Sequence, residues 1–104
     1  MTTYAIGDVQ GCYPELVELL NKISFDQRKD VVWFLGDLVN RGPFSLKVIE
    51  LIRSLGKAAK VVLGNHDLHF LAIYFGGHSL NKNDTFADLL SSAKVAEIAE
   101  WYCS

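Results

Sequence analysis

At 104 residues, half of them hydrophobic and 21% charged, the chain has room for one small globular domain and no more. A formal charge of -2 leaves no Lys/Arg stripe for displacing phosphate counterions, which argues against broad nucleic-acid binding and predicts no stable complex with nucleic acid. Only two cysteines, Cys12 and Cys103, are present and far apart, which excludes a disulfide framework or a zinc ribbon.

The opening MTTYAIGDV has neither a basic start nor a long apolar run. No stretch approaches the length of a membrane span. With unpaired thiols, these features predict a cytoplasmic protein without a membrane partner.

Along the chain, a short apolar strand over residues 3–6 leads into Gly7-Asp8-Val9-Gln10-Gly11. Leu16, Leu19, Leu20 and Ile23 then follow helical spacing on one face, with Pro14 suited to the first turn. A second strand, residues 30–35, carries the apolar run VVWFL, which predicts a sheet buried on both faces. It runs into Gly36-Asp37-Leu38-Val39-Asn40-Arg41-Gly42-Pro43. Val48, Leu51, Ile52 and Leu55 mark the next helix, with Pro43 in its first turn and Gly56 in the left-handed position beyond its end. A third strand, residues 60–63, meets Gly64-Asn65-His66-Asp67.

Strand, helix, strand, helix, strand predicts an α/β fold with a parallel sheet and right-handed crossovers. Beyond it, Leu68, Leu71, Ala72 and Phe75 space as a helix ended by Gly76-Gly77. A polar loop over residues 79–84 precedes two more short helices, residues 86–90 and one carrying Val95, Ile98, Ala99 and Tyr102. Because the last residues still follow an amphipathic pattern, the chain reads as the amino-terminal portion of a domain.

Each strand is followed by glycine and a polar cluster. In a parallel sheet, the carboxyl ends of neighbouring strands open on one edge, where ligands bind. Asp8, Asp37, Asn65 and His66 should therefore converge. Two carboxylates, an amide oxygen and an imidazole suit a hard or borderline divalent ion rather than structural zinc. An aspartate on the central strand could bridge two ions, with Asp8 on one side and Asn65 on the other; two such ions hold a hydroxide and clamp a phosphoryl oxygen. Arg41 offers a planar fork of donors to phosphate, and His66 a proton for the leaving oxygen. Asp67 reads as a cap for the helix that follows. His69 falls on the same helical face as His66, His78 reads as a surface residue, Cys12 as a small packed side chain, and Trp33 and Phe34 as core.

GDVQG, GDLVNRGP and GNHD resemble the leading blocks of the calcineurin-like metallophosphoesterases, in the phosphoprotein-phosphatase branch. Within that branch, GDVQGCYPEL, VWFLGDLVNRGP and LVLGNHDLHFLA are similar to the symmetrical diadenosine tetraphosphatases. Protein phosphatases of the branch usually read GNHE in the third block. The resemblance implies hydrolysis of diadenosine tetraphosphate to two ADP with two divalent ions (Mn, Co, Mg, Fe or Zn). It further implies that Asp8, Asp37 and Asn65 are ligands, Arg41 binds phosphate and His66 is the general acid.

Two positions depart from the superfamily pattern. Gln10 stands where a histidine is usual, either as a weaker ligand through its amide oxygen or as a turn residue. Asn40 stands for the aspartate that orients the catalytic histidine; an amide can hold the imidazole by a hydrogen bond but stabilises its cation less. The resemblance implies further histidines that complete the family's metal sites, and these would fall beyond residue 104. A serine/threonine protein phosphatase and a catalytically inactive fragment are the alternatives that the sequence leaves open.

Overall fold

The computed structural model describes residues 2–40, 42–76, 84–85 and 87–103. Three parallel strands form one sheet in the order β1-β2-β3: β1 (Thr3–Ile6), β2 (Val31–Phe34) and β3 (Ala59–Val61). Thr3 pairs with Val31 and Ile6 with Phe34 on one side of β2, and Trp33 pairs with Lys60 on the other. Helices α1 (Tyr13–Lys22) and α2 (Ser45–Ser54) are the crossovers. They are followed by α3 (Asn65–Tyr74), α4 (Ala87–Leu90) and α5 (Val95–Tyr102). This is the α/β order expected from the alternating pattern, with β2 central.

Local chemistry accounts for most boundaries. Pro14 sits in the first turn of α1, where a missing N–H costs nothing. Gly56, at φ +57°, takes the left-handed step that ends α2 and opens a short 3-10 turn. Pro43 lies ahead of α2 rather than in its first turn, since the helix begins at Ser45. The preceding segment is committed elsewhere: Gly42 N donates to Gln10 O at 2.6 Å and Phe44 N to Gly11 O at 3.0 Å. Those bonds hold residues 42–44 against the loop after β1. Gly77, His78 and Phe86, and most of the polar loop at 79–84, lie outside the described residues.

The start of the sheet is tied by Asp30. Its carboxylate accepts Asp26 N at 3.0 Å and Thr2 N at 3.1 Å. These backbone donors, Asp26 first, hold its pKa below the usual carboxylate value. The stability they contribute is present above the unfolded-chain value of about 3.9 and is lost as pH falls through the folded one.

One core cluster joins Val32 and Phe34 of β2 to Val48, Ile49 and Ile52 of α2, Phe70 of α3, Leu89 of α4 and Ile98 of α5. The other side of β2 differs from expectation. Trp33 is 42% and Leu35 53% exposed, whereas Val32 and Phe34 are at 0%. A strand turns alternate side chains to opposite faces, and the described elements close over only one of them. The unbroken run VVWFL hid this, because a uniformly apolar strand carries no mark of which face is covered. Trp33 is thus not a core residue here; it lines an open cleft of about 680 Å³ with Lys60, Leu63 and Trp101.

Truncating the two β2 aromatics separates the faces. Phe34→Ala is expected to lower unfolding free energy by about 3–5 kcal/mol, and Trp33→Ala by less than half as much. Urea denaturation of the two variants checks the order.

Candidate active site

The first two strand-to-helix loops are joined by backbone bonds before any side chain is considered. Gln10 N donates to Asp37 O at 2.8 Å, and Gly11 N to Leu38 O at 2.9 Å. The approach leaves no space for side chains at the crossing. A Cβ at Gly42 would stand 2.5 Å from Gln10 O, and one at Gly11 2.6 Å from Gly42 O. Here glycine is a requirement of distance.

Gln10, Asp37 and Asn40 take φ of 50°, 53° and 75°, the left-handed region. Each such residue costs on the order of 1–3 kcal/mol and persists only where its surroundings over-determine it. All three belong to the predicted site.

Asp67 supplies much of that over-determination. Its side chain is completely buried. Oδ2 accepts Asp37 N at 2.8 Å and Gly64 N at 3.0 Å, while Oδ1 accepts Leu38 N at 2.9 Å and the Tyr102 hydroxyl at 2.9 Å. The bond from Gly64 N is the helix cap expected for Asp67, at the third position of α3. The other three bonds reach the loop after β2 and the end of α5. Burial pushes the Tyr102 pKa well up, and the Asp67 charge, its hydrogen bond to the hydroxyl and the Asp37 charge add to the rise.

The predicted residues fall as follows. Asp37 Oδ1 accepts His66 N at 2.9 Å, which ties the second block to the third. Gly64 lies against the same aspartate, since a Cβ there would stand 2.6 Å from Asp37 N. Asn40 is buried, with Nδ2 3.2 Å from His66 Nδ1. Gln10 is bound to Asp37 through its backbone, and its side chain is half-buried. Asn65 is exposed at the first residue of α3. Asp8 is exposed too and lines a cleft of about 250 Å³ with Gly7, Cys12, Glu15 and Leu19. Arg41 lies outside the described residues. Cys12 donates its thiol to Gln10 O at 3.7 Å, and burial, with Glu15 nearby, raises its pKa. It is a packed thiol rather than a thiolate ligand.

Three residues join the site without having been predicted for it. Asn40 Nδ2 donates to Asp84 Oδ1 at 2.9 Å, and Asn40 Oδ1 accepts Thr85 N at 2.7 Å. Asp84 Oδ2 is in turn 2.9 Å from His69 Nε2. Nothing local in the sequence marks Asp84, which reaches Asn40 from 44 positions away. The spacing of His69 from His66 was the one usable signal.

A family model described as calcineurin-like phosphoesterase matches residues 1–103. The chain belongs to that family. Among similar proteins, the symmetrical bis(5'-nucleosyl)-tetraphosphatase of Cellvibrio japonicus is 52% identical over 97% of this chain and 37% of its own length. That of Methylococcus capsulatus is 55% identical over 97% of this chain and 36% of its own length. A solved structure, provisionally assigned as a diadenosine tetraphosphatase, superposes with a TM-score of 0.65 at 37% identity, covering 71% of this chain and 36% of that one. The chain therefore spans a little over a third of the length of the relatives it matches.

Calcineurin-like phosphoesterases use divalent metal ions. Asp37, with a carboxylate in the loop after the central strand and beside the start of α3, has the oxygen chemistry such ions prefer. Among the described residues, no three His, Cys, Asp or Glu side chains gather to hold an ion. The donors present thus fit part of a divalent-ion site and need further ligands to close it.

Asp67→Ala would strand the buried Leu38 amide, the part-buried amides of Asp37 and Gly64 and the Tyr102 hydroxyl, and should cost several kcal/mol; Tyr102→Phe should cost about 1 kcal/mol. Since the folded Tyr102 pKa is raised, its contribution is complete below the unfolded value of about 10 and lost as pH rises beyond it. Urea melts between neutral and strongly alkaline pH should show this extra alkaline loss in the native chain and not in Tyr102→Phe.

Proposed function

We propose that the whole protein is a metal-dependent phosphoric anhydride hydrolase that splits diadenosine tetraphosphate symmetrically into two ADP. The joining of three strand-end blocks on one rim carries this reading: Asp67 and the Asp37 carboxylate link the second block to the third, and the Asp37 carbonyl links the second to Gln10 of the first. Relatives named symmetrical tetraphosphatases, at about 50% identity over 97% of this chain, support the substrate. In this reading Asp8, Gln10, Asp37 and Asn65 are donors to two divalent ions, which would supply an activated water and polarise the phosphoryl group.

This chain's own residues do the rest. Asp37 is fixed by Asp67 through its backbone and by His66 N through its side chain, so it needs little reorganisation when an ion binds. His66 meets the leaving phosphate oxygen, with Asn40 holding its Nδ1 edge. Arg41 pairs with phosphate oxygens of the bound substrate. The free thiols of Cys12 and Cys103 suit a reducing compartment, the cytoplasm.

Incubating the whole protein with diadenosine tetraphosphate and Mn²⁺ should yield ADP as the sole first nucleotide product. A chelator should abolish the reaction, and Asp37→Asn should lower kcat by on the order of 100-fold. Release of ATP with AMP would defeat the symmetrical assignment. Turnover of a phosphopeptide without turnover of the dinucleotide would defeat the substrate class.

A further inference from the structure

The Asn40 amide is held in one orientation. Thr85 N can only donate, so the amide atom 2.7 Å from it is the oxygen. The carboxylate of Asp84 accepts, so the atom 2.9 Å from it is the nitrogen. Both contacts demand the same rotamer; the flipped amide would set N–H against N–H and oxygen against carboxylate. Thr85 Oγ1, which donates to Gly42 O at 2.9 Å, also lies 3.3 Å from Asn40 Oδ1. With one amide hydrogen on Asp84, the other is left for His66 Nδ1 at 3.2 Å. Nδ1 must then accept, and a neutral imidazole that accepts at Nδ1 carries its proton on Nε2.

We propose that Asp84 and Thr85 are positioning residues that lock the Asn40 amide and thereby fix His66 as its Nε2–H tautomer, a hydrogen-bond donor to the leaving phosphate. The proposal rests on the hydrolase reading for what the donor does, but not for the tautomer itself. An aspartate at position 40 would reverse the arrangement: its carboxylate would accept, drawing the proton to Nδ1. The amide version suits a phosphoanhydride. A departing nucleoside diphosphate ends in a phosphate whose second ionisation lies near pH 6, so its oxygen leaves as a stable anion and needs a hydrogen bond rather than a transferred proton. A phosphoester's alkoxide is a far stronger base and requires the proton. Asp84 Oδ2, 2.9 Å from His69 Nε2, is itself held in place by the same helix that carries His66.

Nitrogen-15 NMR of the isotopically labelled chain tests this without reference to turnover. The native chain should show a coupling across the hydrogen bond between Asn40 Nδ2 and His66 Nδ1, with the His66 proton on Nε2. Thr85→Ala keeps the backbone donor and should keep both signals. Asp84→Ala should lose the coupling, and Asn40→Asp should move the proton to Nδ1. A folded native chain without the coupling, its survival in Asp84→Ala, or an unmoved proton in Asn40→Asp would each overturn the proposal. Should Asp84→Ala not fold, the native chain and Asn40→Asp decide the matter. In the whole protein, Asp84→Ala should lower kcat for diadenosine tetraphosphate about tenfold with little change in KM. Loss of the coupling from Asp84→Ala with kcat unchanged would overturn the link to catalysis while leaving the hydrolase reading intact.

Discussion

A single buried carboxylate organises the rim of this sheet. Asp67 takes four donors from three parts of the chain: the turn after β2, the turn before α3, and the last residue of α5. A charge with no exposure is tolerated only when its oxygens are saturated with hydrogen bonds, and here the donors are mostly backbone N–H groups that would otherwise be unpaired. The arrangement serves both sides. The turn after β2 gains acceptors for amides that its left-handed residue at Asp37 turns away from the sheet ladder. The aspartate gains a cage of donors that satisfies both of its oxygens.

From that fixed point the site is built outward through hydrogen bonds. Asp37, whose backbone Asp67 holds, binds His66 N through its side chain. Asn40, three residues further along the same turn, is closed in by Ser45 Oγ, Asp84 and Thr85. The strained φ values at Gln10, Asp37 and Asn40 fall where these bonds converge, which is how the strain is sustained. Asp8 and Asn65 are exposed by contrast. They are the candidate donors with most freedom to adjust to an ion.

Much of this was legible in the sequence because the information is local. Glycine followed by a polar cluster at the end of each apolar segment gave the strands, their parallel order and the shared edge. Helical spacing gave α1, α2, α3 and α5. What stayed hidden is non-local. Asp67 was readable as a cap because its Gly64 bond spans three residues; its bonds to Asp37, Leu38 and Tyr102 span about thirty and leave no spacing behind. Asp84 and Thr85 look like any polar loop. The exposed face of β2 was concealed for the opposite reason, since an apolar residue on each side of a strand reads the same whether or not anything packs against it.

The two departures from the superfamily pattern acquire different meanings once the contacts are known. At Gln10 the backbone carries the structural duty: its N–H and carbonyl join the first loop to Asp37 and Gly42, and a histidine there could make the same bonds. In the proposed reading, that substitution would change the donor offered to an ion and leave these backbone bonds in place. At Asn40 the side chain itself is the structural member, accepting from Thr85 and donating to Asp84. An aspartate could keep the first bond, but its second oxygen would face the carboxylate of Asp84 at hydrogen-bond distance, a like-charge contact that lowers stability and that only the proton on His66 Nδ1 would offset. Asparagine at 40 and aspartate at 84 are therefore a matched pair, and the proton on His66 is set by the pair rather than by either residue alone.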